Sequence, residues 1–409
     1  MDMGSDVLRR RIGLVGAVLA LVMLYFASGS PVPLYSMYKL DLGLTQAQLS
    51  MTSMWYLLGT VIPLLFLSRL SDHLGRRPVT AMTLCFSITG CCIFAYLSSP
   101  EMLMVGRFVQ GIASGLGSST VAAYIVDLCV GLPKWVGPAI TSSAPALGLS
   151  TGAFTSGGIC RFTDISGPSV FLTIGMVLLF IIAMVLVGAE TMGRHPGAIG
   201  SIRPRVTLPQ DLRRMFLVSA AVFVGTWAVG GFYQGFSSSI VAEMTGFPDT
   251  FTAAAVFTAS LLPNAIGGFL ANRFDVRTAQ RGGMLGYTVC TVSALFILGY
   301  GSLTLFTVLI MLAALLQGIA FTGSVTGLIS RTGKTDRAGM FSTIYLTSYG
   351  GSAIPNLVVG MTAGNMASAD IMMWYCVLVV VLTIIVFLFT IGGYDPSDPS
   401  SEGLIEDAP

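Results

Sequence analysis

Apolar residues run through the chain in long blocks, separated by short turns that hold nearly all the charge. A membrane-spanning helix needs about 20 mostly apolar residues. That window selects twelve segments, at roughly 12–38, 46–69, 78–97, 101–129, 134–160, 167–189, 212–236, 250–272, 283–300, 302–330, 338–362 and 369–392. Lipid offers no partner to a backbone N–H or C=O, so each segment is expected to be a helix. The longest internal loop, 190–211, divides them six and six. The expected organisation is an all-α integral membrane protein. A six-helix bundle over 1–190 leads through a linker loop over 191–211 to a second bundle over 212–392. The tail, 393–409, is acidic and rich in Pro and Ser, and is not expected to fold.

Composition narrows the function. Only 10% of the 409 residues are charged, against about 25% in soluble chains. That excludes a water-soluble enzyme, a nucleic-acid binder and a disordered scaffold. The net charge of +2 gives no strong field toward an acidic partner. Glycine, at 48 residues, is well above the usual ~7% and suits helices packed closely in lipid. The seven cysteines all fall in apolar stretches without metal-site spacing, and read as small buried hydrophobes. Arg9, Arg10 and Arg11 precede an apolar run that continues past Phe26, which suggests a retained first span and not a cleavable signal.

Lys and Arg set the expected orientation. With the N-terminus cytoplasmic, 18 of the 21 fall in inner loops. Lys39 and Arg161 lie outside, and Arg107 lies within a span. Such asymmetry in short loops orients membrane proteins. It places both termini in the cytoplasm and the chain, multi-pass, in the cytoplasmic membrane. The halves also repeat: Gln110-Gly-Ile-Ala113 in span four returns as Gln317-Gly-Ile-Ala320 in span ten, at an offset of 207 residues. A duplicated six-plus-six bundle suits a transporter with its substrate cavity between the halves.

The loop after span two is Ser68-Arg-Leu-Ser-Asp72-His-Leu-Gly75-Arg76-Arg77-Pro78, and span four contains Gly106-Arg107-Phe-Val-Gln110-Gly111. The first resembles the signature loop of the major facilitator superfamily, G-x-L-S-D-x-x-G-R-R, with Ser68 in place of the leading Gly. The second resembles that family's R-x-x-Q-G motif. The resemblance implies the major facilitator fold, with twelve transmembrane helices in two pseudo-symmetric bundles, and membership of its 12-helix drug/proton antiporter branch. It also implies that Asp127 is an acidic partner for the loop. Gly75 permits a tight turn. Asp72 is expected near the N-terminus of span eleven, where the helix dipole favours a carboxylate. Arg76 can reach Asp127, and with Arg77 these residues are expected to latch the halves on the cytoplasmic face. The plainer alternative is that the loop only anchors topology.

Arg107 is the one Lys or Arg well inside a span. A charge at the bilayer centre costs ~2.5–3.5 kcal/mol on insertion scales, so it should face a cavity or a partner. It is expected to modulate proton binding or to contact an anionic group on the substrate; the alternative is a role in helix packing. No Asp or Glu lies mid-span, which leaves Asp41 and Asp127 as proton-coupling candidates. Span five carries Gly148, Gly152, Gly157 and Gly158. It resembles an antiporter motif of the superfamily, with Ala153 where that motif has Pro. Cavity residues inferred from position are Tyr25, Trp55, Tyr56, Trp227, Tyr233, Gln234, Asn264, Gln317, Tyr345, Tyr349 and Asn356. Aromatics with a few amides suit an amphipathic organic molecule.

Together these features point to a secondary active transporter working by alternating access. It is expected to export a small organic, drug-like molecule against protons, as a monomer, in contact with membrane lipid and with no cofactor, metal or nucleic acid. Uptake of an organic acid or other metabolite, by symport or facilitated diffusion, is the alternative. No embedded nucleophile–base pair, metal cluster or nucleotide loop points to an enzyme.

Overall fold

The computed structural model describes residues 3–35, 38, 42, 46–163, 165, 167–202, 212–246, 249–333, 336–362 and 366–391. Among them the chain forms twelve long helices. In order they are α1 (Met3–Gly29), α2 (Gln46–Phe66), α3 (Arg76–Ala95), α4 (Pro100–Leu128), α5 (Val136–Phe162) and α6 (Gly167–Val187). The second half has α7 (Arg213–Thr245), α8 in two pieces (Thr250–Ala259 and Leu262–Leu270), α9 (Val276–Tyr300), α10 (Leu303–Ser330), α11 (Arg337–Thr362) and α12 (Ser368–Ile391). Nine of these are long and apolar enough by themselves to cross a membrane. The exceptions are α2, α5 and α11. Helix α5 is rich in Gly, Ser and Ala and mostly buried among its neighbours, so it does not need a lipid-facing composition.

Several helices extend beyond the apolar blocks. Helix α7 continues to Thr245, past the expected 236. Helix α9 starts at Val276 and not near 283, which puts Arg277 and Arg281 in its opening turns. Helix α8 is interrupted between Ala259 and Leu262, just ahead of Pro263. Proline has no N–H to bond back to Ala259, and its ring crowds that carbonyl.

Each half contributes an apolar core, and α5 of the first half also packs into that of the second through Ala146 and Ala153. Leu21, Leu24, Phe94, Phe171 and Leu178 pack together in the first. Phe232, Phe257, Met284, Phe306 and Ile310 pack in the second. A third cluster joins them, setting Leu64, Ala122 and Ala123 against Phe321, Phe341, Ile344 and Tyr345.

The Gln-Gly repeat has a structural cause. A Cβ on Gly111 would strike the Tyr56 carbonyl and sit 3.0 Å from the Gly59 Cα. On Gly318 it would strike the Asn264 carbonyl and sit 2.9 Å from the Gly268 nitrogen. Thus α4 crosses α2, and α10 crosses α8, backbone against backbone, which only glycine allows. The neighbouring amides repeat as well. Gln110 Nε2 donates to the Ala27 carbonyl of α1 at 2.8 Å, and Gln317 Nε2 to the Thr226 carbonyl of α7 at 3.5 Å.

Candidate functional site

At one end of the bundle the chain turns at Gly75, with φ 99°, between a short helix (Leu70–Leu74) and α3. The free N–H groups opening α3 are taken by one carboxylate. Glu190, after α6, accepts from Arg76 N at 2.9 Å and Arg77 N at 3.1 Å. The Arg76 side chain is fully buried. Its Nη1 donates to Ser71 Oγ at 2.5 Å and Asp72 Oδ1 at 2.6 Å, and its Nε to Asp127 Oδ2 at 3.2 Å. Burial pushes the Asp72 carboxyl above its ordinary pKa, against the pull of Arg76, Arg69 and His73.

The other oxygen of Asp127 accepts from Arg337 Nη1 at 2.7 Å. Asp127 ends α4 in the first half and Arg337 begins α11 in the second, so one carboxylate links the halves. Ser342 of α11 adds a second link to the Leu64 carbonyl. Buried charges remove each other's desolvation cost only when paired, so losing one partner is severe. Asp72, expected near the N-terminus of span eleven, is held by Arg76 four residues on, and the carboxylate bonded to α11 itself is Asp127.

Deeper in the bundle, tyrosines from both halves meet. Tyr25 OH lies 2.6 Å from Ser118 Oγ and 3.2 Å from Tyr349 OH across the midline. Tyr345 OH donates to the Thr141 carbonyl of α5 at 2.8 Å. The Trp227 ring lies 4.9 Å from Tyr349 and 6.0 Å from Tyr345, edge to face. Ser118 belongs to a π-helical turn in α4, Gly117–Val121. Such turns shift side chains out of α-register and recur at functional sites.

Toward the other end of α4, Arg107 lies 4.5 Å over the Tyr56 ring and is 2% exposed. Its Nη1 donates to the Ser28 carbonyl at 2.9 Å and to Gln110 Oε1 at 3.0 Å. Its buried Nε has no acceptor among the described residues. Tyr56 OH donates to Ser114 Oγ at 2.9 Å, and Ser114 lies 3.2 Å from Ser28 Oγ. A cation, aromatic rings and hydroxyls therefore line one continuous region across the midline.

Other candidates lie elsewhere. Trp55 is 40% exposed on the outer surface, edge-on to Phe108, and does not line the interior. Asn356 faces α12, where its Oδ1 accepts from Tyr375 OH at 2.6 Å. Tyr233 is buried in the second core between Phe232 and Phe306. Gln234 is half-buried, and Asn264 is buried, its Oδ1 without a partner among the described residues. Asp41 lies outside the described residues. Sequence reasoning missed Arg337 and the hydroxyls of Ser28, Ser114 and Ser118. An acid at the inner end of span four demanded a cation, and Arg337, first residue of α11, was the signal to weigh.

The family model of the Major Facilitator Superfamily matches residues 17–355. Among solved structures, the human organic anion transporter MFSD10 (TETRAN) superposes with a TM-score of 0.71 at 16% identity, covering 92% of this chain and 99% of that one. The proton:xylose symporter XylE, bound to 6-bromo-6-deoxy-D-glucose, superposes with a TM-score of 0.72 at 12% identity, covering 95% and 96%. Curated protein sequences give no match.

Proposed function

Since the chain belongs to the major facilitator superfamily, and is thus a multi-pass secondary transporter of small molecules, we propose that it exports a small, partly aromatic organic anion in exchange for protons. One observation carries the substrate class. Arg107 is a buried guanidinium whose Nε has no acceptor among the described residues, set over Tyr56 and continuous with Tyr349 and Trp227. A cation held in a low-dielectric interior favours an anionic group, and the rings favour an apolar body. The two solved relatives carry different kinds of cargo, so the shared fold selects neither.

In this reading the units 1–190 and 212–392 rock about the tyrosine contact. The Arg76–Asp127–Arg337 linkage closes one mouth, on the cytoplasmic face by the distribution of basic loops. Asp127 and Asp41 are the candidates for carrying the proton. Support for antiport, and for the drug/proton branch, comes from α5. A Cβ on Gly148 would lie 2.6 Å from the Tyr25 Cβ, and Gly152 abuts Phe26, so the glycine stripe touches α1 beside the proposed site.

The test is flux of aromatic carboxylates in inverted vesicles carrying an inward-acid gradient. Gradient-driven accumulation, lost in Arg107→Ala, is expected. Preference for cationic or sugar substrates would end the anion reading. Arg107 serves a symporter equally well, so accumulation only in right-side-out cells would establish uptake instead.

A further inference from the structure

The halves meet along two seams at the end of the bundle that carries the ionic linkage. On one side Asp127, ending α4, binds Arg337, opening α11. On the other side the start of α5 meets the end of α8 and the last turns of α10, and uncharged groups make the contact. Ser142 Oγ lies 2.5 Å from Thr322 Oγ1. A Cβ on Gly268 would strike Ser143 Oγ. Trp135 stands edge-on to Phe269, with 6.5 Å between the rings.

Beside these contacts lies a cavity of about 130 Å³. Trp135 and Ala139 line it from the first half, and Gly268, Asn272, Phe274 and Thr326 from the second. Asn272 and Phe274 are exposed, so the cavity is reached from the surface. No charged side chain lines it among the described residues. The Trp135 indole N–H, the Asn272 amide and the Thr326 hydroxyl have no hydrogen-bond partner among those residues. Each belongs to a residue that is exposed or half-buried, so a ligand can meet it. A space of this size holds about one aromatic ring. A ring beside Trp135 and Phe274 buries apolar surface, and one hydroxyl or amide on it can bond to the free groups. A charged ligand would be desolvated there with no counter-charge.

We propose that this cavity binds a small neutral aromatic molecule with one hydrogen-bonding substituent, a phenol or an aromatic amide, and that the bound molecule holds the halves together at this end. It touches both halves only while the seam is closed, so it favours that state. It acts as a removable counterpart of the Asp127–Arg337 link and restrains opening without occupying the region around Arg107 and the tyrosines. The site is independent of whether the cargo is an anion.

The test uses the full chain in neutral detergent, with phenol, benzene and benzoate as probes. Thermal unfolding is followed for the wild type and for Ala139→Leu, which fills the cavity. The difference between the two isolates this site, because binding around Arg107 is common to both. In that difference phenol should stabilise saturably. Benzene should bind about fivefold more weakly, for want of one neutral hydrogen bond, and benzoate should have no effect. The double variant T326V/N272A should lose about fivefold in affinity for phenol and bind benzene as before. Phenol should also slow amide exchange in residues 135–139 and 268–274 together.

Stabilisation of Ala139→Leu by phenol to the wild-type extent overturns the proposal, as does benzoate outranking phenol in the difference. An unchanged phenol affinity in T326V/N272A overturns it too. Slower exchange confined to one half removes the bridging role and the proposal with it. Should Ala139→Leu not fold, T326V/N272A replaces it in the same comparison, and equal responses to phenol there sink the site.

Discussion

The two halves keep the same packing but not the same chemistry. Gly111 and Gly318 perform one task in α4 and α10, and Gln110 and Gln317 reach back to α1 and α7 alike. Yet at the offset of 207 residues Arg107 meets Ala314, and Asp127 meets Lys334. The first half holds the buried cation and the buried acid. The second contributes apolar rings, with Trp227 and Phe321 beside Tyr345 and Tyr349. Geometry that sets helix crossing persists through duplication because any side chain there collides with backbone. A charge is unconstrained in that way, and one copy is enough for a site on the midline.

The largest test of this asymmetry removes the acid. Asp127→Ala takes the carboxylate from Arg337 and leaves buried Arg76 with Asp72 and Ser71 alone, and removing one member of a buried ionic group typically costs ~3–5 kcal/mol. Thermal unfolding should fall markedly, and amide exchange at the start of α11 should rise. An unchanged transition would mean that the link between halves is dispensable. The glycine comparison comes next. Gly111→Ala and Gly318→Ala should each cost about 1–3 kcal/mol through overpacking, and to a similar extent. A variant that unfolds in one case and is silent in the other would break the structural equivalence of the repeats.

The fold was legible because lipid imposes a simple rule, long apolar blocks with charge confined to the turns. The Gln-Gly repeat was legible because identical packing demands identical residues. Which way side chains face was much less so. A helix apolar on every side gives little rotational signal. Trp55 and Asn356 were therefore placed by depth alone, and the structure turns one outward and the other toward α12. The interruption of α8 was marked in sequence by Pro263, but many membrane helices tolerate proline. Arg337 was hidden for another reason. Its partner lies 210 residues away in the chain, and only the docking of the two halves brings them together.

A functional contrast between the halves is expected at Arg107 and Ala314. Arg107→Ala should reduce transport by about tenfold or more, as expected for loss of one charged contact worth ~1.4 kcal/mol or more. Arg107→Lys should retain part of the rate, and Ala314→Ser should leave it near wild type. Equal rates for Arg107→Ala and Arg107→Lys would favour a packing role, since neither keeps the planar guanidinium over Tyr56.

The smallest contrast concerns how α3 and α9 begin. Helix α9 is capped locally, with Asp275 accepting from Thr278 N at 2.9 Å. Helix α3 is capped from a distance, by Glu190 after α6. Bonding from Thr278 holds the Asp275 carboxyl below its ordinary value. A depressed carboxylate stabilises the fold above the ordinary pKa of 3.8 and loses that contribution as pH falls through the lower folded value. The group is mostly in water, so the gain is slight, and asparagine caps about as well. Asp275→Asn should therefore shift stability by less than ~0.5 kcal/mol and remove that acid-side dependence. Glu190→Gln should cost more, about 1 kcal/mol after allowing for solvent screening, because it weakens bonds to Arg76, Arg77, Thr191 and Met192 together. It should also raise amide exchange at Arg76 and Arg77 without affecting the start of α9. If Asp275→Asn proved the more damaging, Glu190 would be only a surface contact, and capping of α3 from a distance would count for less than the local cap of α9.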